Sequence, residues 1–340
     1  MAPPDLHQVA DAFSARIPNL TEQIDHLVRA IPSGKVATYG DLAKLLGDSV
    51  ASRWVATYLL DPVCRVADLS HRVVRSTGEV GLHYTNSSEK KTQLLQAEDV
   101  VVSHGRIDLE TYRTELPPIV PSLSKLTAWQ RDFECPEEPA LSLSSIKTMG
   151  GIDVSYGKQQ AVSACHLTKS NGQTSIGTHT YTGEARFPYI TGYLAFREIA
   201  LHLNLLANMQ AAGTLPDVLL VDGNGRLHPR RMGIATMLGG LTGIPTIGVA
   251  KKLICGVIRA PELKVGNWEP IVASKDEPDE ILGYAIIPHT KTKHPLYVSR
   301  GFGIDDPSMQ AIVERCLAEH RLPEPIYWAD RESRRAASTL

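Results

Sequence analysis

Apolar positions along this chain fall into two regimes. Near the start they recur at helical spacing, with Ile24, Leu27, Val28 and Ile31 at i, i+3, i+4 and i+7 of one amphipathic helix. Residues 41–46 carry Leu42, Leu45 and Leu46, and residues 51–60 carry Ala51, Trp54, Val55, Tyr58 and Leu59, with the turn Gly47-Asp-Ser49 between them. Two helices joined so tightly read either as a helix-turn-helix, whose second helix offers its N-terminal residues to DNA, or as an ordinary helical hairpin. Arg53 falls near that end, off the apolar stripe. Farther on the pattern becomes strand-like over residues 151–156, 161–168 and 174–182, and Asn171-Gly172 is a hairpin signal. A helix over 193–209, a strand over 217–222, a helix over 229–241 and a strand over 245–250 follow.

The join between the regimes is Glu115-Leu-Pro-Pro-Ile-Val-Pro121, where three prolines favour an extended connector. This divides the chain into a mainly helical domain (1–116), a linker (117–121) and an α/β domain (122–340). A second proline-rich spot, Cys135-Pro-Glu-Glu-Pro139, precedes the first strand. The β-β-β-α-β-α-β order is that of the ribonuclease H-like fold, a mixed sheet in which the first and fourth strands lie side by side. That pairing makes neighbours of Asp153, in Met149-Gly-Gly-Ile-Asp-Val-Ser-Tyr156, and Asp222, which ends Asp217-Val-Leu-Leu-Val-Asp222. Glu198 on the intervening helix leans toward both. Buried carboxylates are costly unless paired or bound to metal, so three of them suggest a shared divalent cation. Asp222 also precedes Gly223-Asn-Gly225, and as an Asp-Gly dipeptide it reads equally as a turn residue. Asp153 sits where no turn is expected.

Composition removes several alternatives. With 340 residues and a net charge of −2, any nucleic-acid surface must be a local patch. Five scattered cysteines (Cys64, Cys135, Cys165, Cys255, Cys316) without a C-x-x-C pair read as reduced thiols of a cytoplasmic protein, not a zinc site or disulfide frame. The residues after Met1 lack a basic and apolar leader, and no uncharged apolar run approaches the roughly 20 residues that span a bilayer, so no membrane association is expected.

Several segments of the α/β domain resemble endonuclease V, a family that nicks nucleic acid near deaminated adenine. They are Gly150-Gly-Ile-Asp-Val-Ser-Tyr156, Pro188-Tyr-Ile-Thr-Gly-Tyr-Leu-Ala-Phe-Arg-Glu198, Val221-Asp-Gly-Asn-Gly-Arg-Leu-His-Pro-Arg230, Pro245-Thr-Ile-Gly-Val-Ala-Lys-Lys252 and Arg321-Leu-Pro-Glu-Pro325. The resemblance implies that Asp153, Glu198 and Asp222 are catalytic, metal-binding acids for Mg2+, with Mn2+ able to substitute. Such a cation lowers the pKa of bound water and neutralises charge on the phosphate. It implies a phosphate-side role for Lys251, which otherwise reads as a solvated lysine at a strand end, and a site role for His228. Pro188, Tyr189 and Ile190 match a wedge that fills the space of an extruded base. Gly223 and Gly225 are expected to let backbone amides approach that base. One place departs from the pattern: a Gly-His pair is expected before the last helix with its histidine beside the metal, and Ser299-Arg-Gly-Phe-Gly-Ile-Asp-Asp-Pro307 has Phe302 instead. Asp305 and Asp306 are candidate substitutes, but Asp306-Pro307 also reads as a helix cap. The departure implies weakened activity or altered metal dependence.

The first domain resembles the DNA-binding domain of the alkylguanine-DNA alkyltransferases, through Ile31-Pro-Ser-Gly-Lys-Val-Ala-Thr-Tyr-Gly40, Ala51-Ser-Arg-Trp-Val55 and His71-Arg-Val-Val74, followed by Ser76-Thr-Gly-Glu-Val-Gly81. This implies a winged-helix, helix-turn-helix module. The family's Pro-Cys-His-Arg acceptor motif is here Leu69-Ser-His-Arg72, and serine is a far weaker nucleophile than a thiolate. Tyr39 and Arg53 match residues that turn a nucleotide out and fill its vacancy, Ser70, His71 and Arg72 line the lesion side, and Lys35, Arg72 and Arg75 are candidate phosphate contacts. The leading reading is a DNA or RNA repair endonuclease that hydrolyses the second phosphodiester 3′ of hypoxanthine and leaves a 3′-hydroxyl, fused to a domain that binds alkylated guanine without transferring the alkyl group. A non-catalytic lesion-binding protein is the alternative, and a suicide alkyltransferase using Ser70 or Cys64 is a third. Protein partners, oligomeric state, coupling between the domains and the choice of alkylated base are not readable from sequence.

Overall fold

The computed structural model describes residues 4–133, 141–158, 160–260, 262–274, 276–277, 279–292 and 294–340. Its contacts form two compact units, Pro18–Trp129 with Phe187–Tyr193, and Met1–Ile17 with Gln130–Arg186 and Leu194–Leu340. These bounds differ from a division at the proline-rich connector in three ways. The segment ending at Ile17 belongs with the sheet, residues 122–129 belong with the helices, and so does the short stretch Phe187–Tyr193. The connector expected at Cys135-Pro-Glu-Glu-Pro139 lies outside the described residues.

The first helix, α1 (Leu6–Arg16), is capped by Asp5 and buries Leu6, Ala10 and Phe13 within the sheet-bearing unit. The helical unit then begins with α2 (Leu20–Arg29), β1 (Ala37–Thr38), α3 (Tyr39–Leu46) and α4 (Ser52–Leu59). Helix α2 ends before Ile31, because the residue preceding Pro32 is pushed out of the helical region. Thr38 and Asp41 form a reciprocal capping box on α3, and Gly47 stops that helix in a left-handed conformation at φ 103°. Asp48 then caps a single turn leading into α4. The remaining elements are β2 (Val73–Val74), paired in parallel with β1, then α5 (Ser88–Ala97), β3 (Val102–Ser103), β4 (Arg106–Ile107), α6 (Leu109–Tyr112) and α7 (Ser122–Arg131). Strands β3 and β4 close a hairpin at His104-Gly105, both with positive φ, and Ile107 seals a small core of Val36, Val74, Val80, Leu95 and Val100.

The second unit is built on a nine-stranded sheet among the described residues. Its elements are β5 (Thr148–Tyr156), β6 (Ala161–Lys169), β7 (Ser175–Gly183), α8 (Leu194–Ala211), β8 (Val218–Asp222), α9 (Ile234–Thr242), β9 (Thr246–Ala250), β10 (Val257–Ile258), β11 (Glu269–Val272), β12 (Ile281–Ile286), β13 (Leu296–Phe302), α10 (Asp306–Cys316) and α11 (Glu324–Ala337). The order across the sheet is β10-β11-β12-β13-β9-β8-β5-β6-β7, with β5, β8 and β9 parallel and the rest antiparallel. Strands β5 and β8 are hydrogen-bonded neighbours, with Ile152 opposite Val221, so Asp153 and Asp222 come next to each other at the same end. The helix expected from residue 229 starts only at Ile234. Residues up to Gly233 fold back instead, with the Gly233 amide donating to the Gly225 carbonyl at 2.9 Å.

Alternation assigns the faces of β5. Gly151, Asp153 and Ser155 share one face and Ile152, Val154 and Tyr156 the other. Helix α11 packs across β5 and β6, where Met149 and Ile326 share a core, while Val154 packs against Leu201 of α8. Helix α1 lies on α8, and the Leu6 amide donates to Gln210 Oε1 at 3.0 Å.

Candidate functional site

The acidic centre follows from one close approach. A Cβ at Gly151 would lie 2.1 Å from the Pro325 carbonyl carbon, so only glycine lets the start of α11 rest on β5. Four residues along a helix advance about 6 Å and two along a strand about 6.6 Å, so the turn after Ile326 keeps pace with β5. Asp330 therefore reaches Asp153, and Ser333 reaches one strand position farther. One carboxylate oxygen from each of Asp153, Asp222 and Asp330 lies within 4.8 Å of the others. Ser333 donates to Asp153 Oδ2 at 3.1 Å and pairs with Ser155 at 2.9 Å.

Electrostatics makes this cluster unusual. At an effective dielectric of about 20, two carboxylates this close repel by about 3–4 kcal/mol. Burial, then Asp222, Glu198 and Asp330, push the Asp153 carboxyl well above the ordinary range. Lys251, at the end of β9, donates to Asp222 at 2.6 Å and lies 3.4 Å from Asp330. Burial pulls its ammonium down, but Asp222 and Asp330 outweigh that and hold it above the usual lysine value. Arg334 also donates to Asp330 Oδ1, at 2.8 Å. These two cations offset three acids only in part, and all the donors are hard oxygens, the set that suits a magnesium-like cation.

Glu198 stands apart from the tight group. It is buried on α8, accepts the Tyr156 hydroxyl at 2.6 Å, and is pushed up to about 7, chiefly by burial, with Asp222 adding to the rise. The third close acid is Asp330, which the sequence reading missed because nothing local in Tyr327-Trp-Ala-Asp330 marks a helix that must cross Gly151. The position held by Phe302, where the resemblance places a histidine beside the metal, does not lie beside this centre. Phe302 is buried opposite Thr246, whereas Asp222 lies opposite Val249, so the aromatic sits toward the other end of the sheet. Asp305 is the N-cap of α10, one residue earlier than expected, and Asp306 pairs with Arg300 at 3.0 Å; neither joins the centre.

The glycines after Asp222 also act differently from expectation. The Gly223 amide donates to Val249 and that of Gly225 to Ser299 Oγ, and a Cβ at Gly225 would lie 2.1 Å from the Arg300 carbonyl. Gly223 packs closely on Ile234 of α9 and Gly225 on β13, and neither amide remains for a base. Between them Asn224 Oδ1 is buried with no hydrogen-bond partner among the described residues. His228 is buried, its Nδ1 accepting from the Arg230 amide at 3.2 Å.

Residues 187–193 belong to the helical unit. Tyr189 is 65% exposed and Pro188 partly so, whereas Ile190 is buried and is unavailable for insertion. Arg53 is exposed on the first turn of α4. Tyr39 starts α3, and its hydroxyl lies 3.3 Å from the buried Lys91 ammonium. Ser70 is buried and donates to the Ala67 carbonyl at 2.8 Å. His71 faces the Asp68 carbonyl and Glu98, so it has no ring nitrogen for Ser70. Arg72, a candidate phosphate contact, forks onto Glu98 at 2.7–2.9 Å and donates to Ile31, and is thereby a half-buried cross-link of the helical unit. Lys35 donates to the Thr111 carbonyl, and Arg75 pairs with Glu79 while remaining exposed. Burial raises the Cys64 thiol, which keeps it a poor nucleophile.

Comparison with known proteins agrees with this division of labour. Residues 133–331 match the family model for endonuclease V, and residues 19–100 match that for the DNA-binding domain of 6-O-methylguanine DNA methyltransferase. Endonuclease V of Ignicoccus hospitalis is 38% identical over 204 residues, covering 60% of this chain and 89% of that protein. A bifunctional methyltransferase/endonuclease of Thermoplasma volcanium is 33% identical over 267 residues, 76% of each chain. Among solved structures, a point variant of Ciona intestinalis endonuclease V, in complex with DNA containing an inosine followed by a ribo-adenosine, is 30% identical and superimposes with a TM-score of 0.57 over 65% of this chain and 99% of that one.

Proposed function

This chain belongs to the endonuclease V family, and from that premise we propose that it is a metal-dependent repair endonuclease that nicks nucleic acid 3′ of hypoxanthine, carrying an alkyltransferase-like module that binds DNA without accepting an alkyl group. The observation that carries the nuclease reading is the convergence of Asp153, Asp222 and Asp330 at one end of the sheet. The strand order β7-β6-β5-β8-β9 supports a ribonuclease H-like assignment, and the β3–β4 hairpin supports a wing accompanying α3 and α4.

Asp153, Asp222 and Asp330 would hold Mg2+, with Mn2+ able to substitute, and Glu198 stands close behind. When bound, such a cation supplies Lewis-acid stabilisation of charge developing on the scissile phosphate. The protein's own groups do the rest. Ser333 fixes one oxygen of Asp153 and so sets the direction of its other lone pairs. Lys251 places a positive charge beside Asp222, where it can meet a non-bridging phosphate oxygen or the departing 3′-oxygen. Tyr156 and Arg197, stacked 4.2 Å from the tyrosine ring centroid, steady Glu198 and the start of α8. Tyr189 is the wedge, with Pro188 stiffening its approach.

In the helical unit, Arg53 and Tyr39 would face an extruded nucleotide, and the missing thiolate makes Ser70 a lining residue, not an acceptor. Among the described residues no helix is long and apolar enough to cross a membrane. We place the protein in the cytoplasm, where its scattered free thiols would stay reduced. The deciding experiment incubates inosine-containing and O6-alkylguanine-containing duplexes with protein, with and without Mg2+. Metal-dependent nicking of the inosine strand, with retention but no labelling by the alkylated duplex, is expected. Retention of both without nicking would establish a lesion-binding protein instead.

A further inference from the structure

The segment that carries the exposed Tyr189 lies, in sequence, at the entrance to the nuclease helix α8, yet it folds into the helical unit. Its anchors are specific. Phe187, Ile190 and Tyr193 are each no more than 2% exposed, and the rings of Phe187 and Tyr193 stack with centroids 6.3 Å apart. The Tyr193 hydroxyl donates to Asp48 Oδ2 at 2.7 Å, and the Thr127 hydroxyl of α7 lies 2.9 Å from that tyrosine oxygen. The other carboxylate oxygen of Asp48 accepts the Val50 amide at 3.0 Å and so caps the turn that starts α4. The turn itself is clamped to α7. Ser124 donates to the Gly47 carbonyl at 2.8 Å, and a Cβ at Gly47 would lie 2.4 Å from Ser124 Oγ. One carboxylate therefore holds two elements at once: the segment whose tip is Tyr189, and the turn that sets the angle of α4 with its exposed Arg53.

We infer that Asp48, through Tyr193, is a positioning residue that locks the nuclease wedge to the helix-turn-helix, so that the alkyltransferase-like unit supports base extrusion for the nicking reaction rather than acting as a separate module. This rests on reading Tyr189 as the wedge. The physical reason is rigidity. A wedge separates stacked bases only if its base cannot recoil, because the stack resists being opened. A charge-assisted hydrogen bond from a buried hydroxyl, backed by two buried rings, gives the exposed tip that stiffness. The influence of Asp48 runs through the Tyr193 hydroxyl and the Val50 amide, which its two carboxylate oxygens accept.

The test uses full-length protein with Mg2+ and two substrates, an inosine-containing duplex and the same strand alone, which needs no unpairing. The ratio of duplex to single-strand nicking is measured under single turnover, with 2-aminopurine fluorescence beside the inosine as a readout of extrusion. Tyr189→Ala should lower the ratio. Tyr193→Phe, which removes one hydroxyl and keeps the ring, and Asp48→Asn should lower it by about 3–10-fold, the equivalent of one ordinary net hydrogen bond. The Tyr189→Ala/Tyr193→Phe double variant should be no worse than Tyr189→Ala alone, because both act through the same wedge. A wild-type ratio and fluorescence in Tyr193→Phe, beside a lowered ratio in Tyr189→Ala, overturns the inference while leaving the wedge reading intact. An unchanged ratio in Tyr189→Ala removes the wedge reading itself, and this inference with it. Should Asp48→Asn loosen the unit as a whole, Tyr193→Phe alone still decides.

Discussion

Replacing Gly151 by alanine tests how the acidic centre is assembled, without touching any acid. The added methyl would stand 2.1 Å from the Pro325 carbonyl carbon and 2.3 Å from the Ile326 amide nitrogen, both backbone atoms of α11. Carbon atoms pack at about 3.5–4 Å, so the helix must retreat from β5 by about 1.5 Å. Overpacking of this kind costs about 1–3 kcal/mol of stability. Asp330 and Ser333 ride on the same helix, and a displacement of about 1 Å at a reacting centre can cost about 100-fold in rate. Gly151→Ala should therefore remain folded, with a lowered melting temperature, and need far more Mg2+ to reach a much reduced nicking rate. Gly177→Ala is the control, since a Cβ there meets nothing within 4 Å. The assays are single-turnover nicking across a Mg2+ titration and direct Mn2+ binding. Wild-type rate and metal midpoint in Gly151→Ala would refute the argument that contact at Gly151 places the third acid.

Asp330→Ala should abolish nicking as completely as Asp153→Ala or Asp222→Ala while leaving the protein folded, scored with the same duplex; strong residual Mg2+-dependent cleavage would return the third position to another residue. Without metal, Asp153→Asn should raise the melting temperature, because it removes a buried carboxylate from two like charges, and it should lose the stabilisation that added metal gives wild type. Labelled alkylguanine duplex should transfer no label to wild-type protein, and mass spectrometry finding the alkyl group on Ser70 or Cys64 would contradict this. Burial holds Lys91 at about 7 against a normal 10.5, so between those values the unfolded chain binds more protons and stability rises with pH. From pH 7 to 9.5 wild type should gain on the order of 2 kcal/mol relative to Lys91→Met in denaturant unfolding of the helical unit, and a parallel pH response of the two would show that Lys91 is not held neutral.

The sequence by itself determined what depends on neighbours along the chain. Period-2 and period-3.6 patterns placed β5 to β9 and α2 to α4 within a few residues, because alternation and helical stripes are local consequences of backbone geometry. Asp153 in mid-strand and Asp222 at a strand end were legible as chemistry for the same reason, since an acid in an apolar run contradicts its surroundings. Tertiary structure decided everything that required a partner distant in sequence. Gly151 looked like part of a motif, and only the crossing of α11 shows that it admits Asp330. Gly223 and Gly225 looked like openings for a ligand, but the Ile234 side chain of α9 crowds Gly223 and the backbone of β13 crowds Gly225. Arg72 has the composition of a phosphate contact, but Glu98 takes its Nε and Nη2 and the Ile31 carbonyl takes its Nη1. The short stretch from Phe187 to Tyr193 reads as part of the nuclease until Asp48 is found holding it. Periodicity states which face of an element is buried and is silent about what covers it; that choice is made by close packing between segments that meet only in the folded chain.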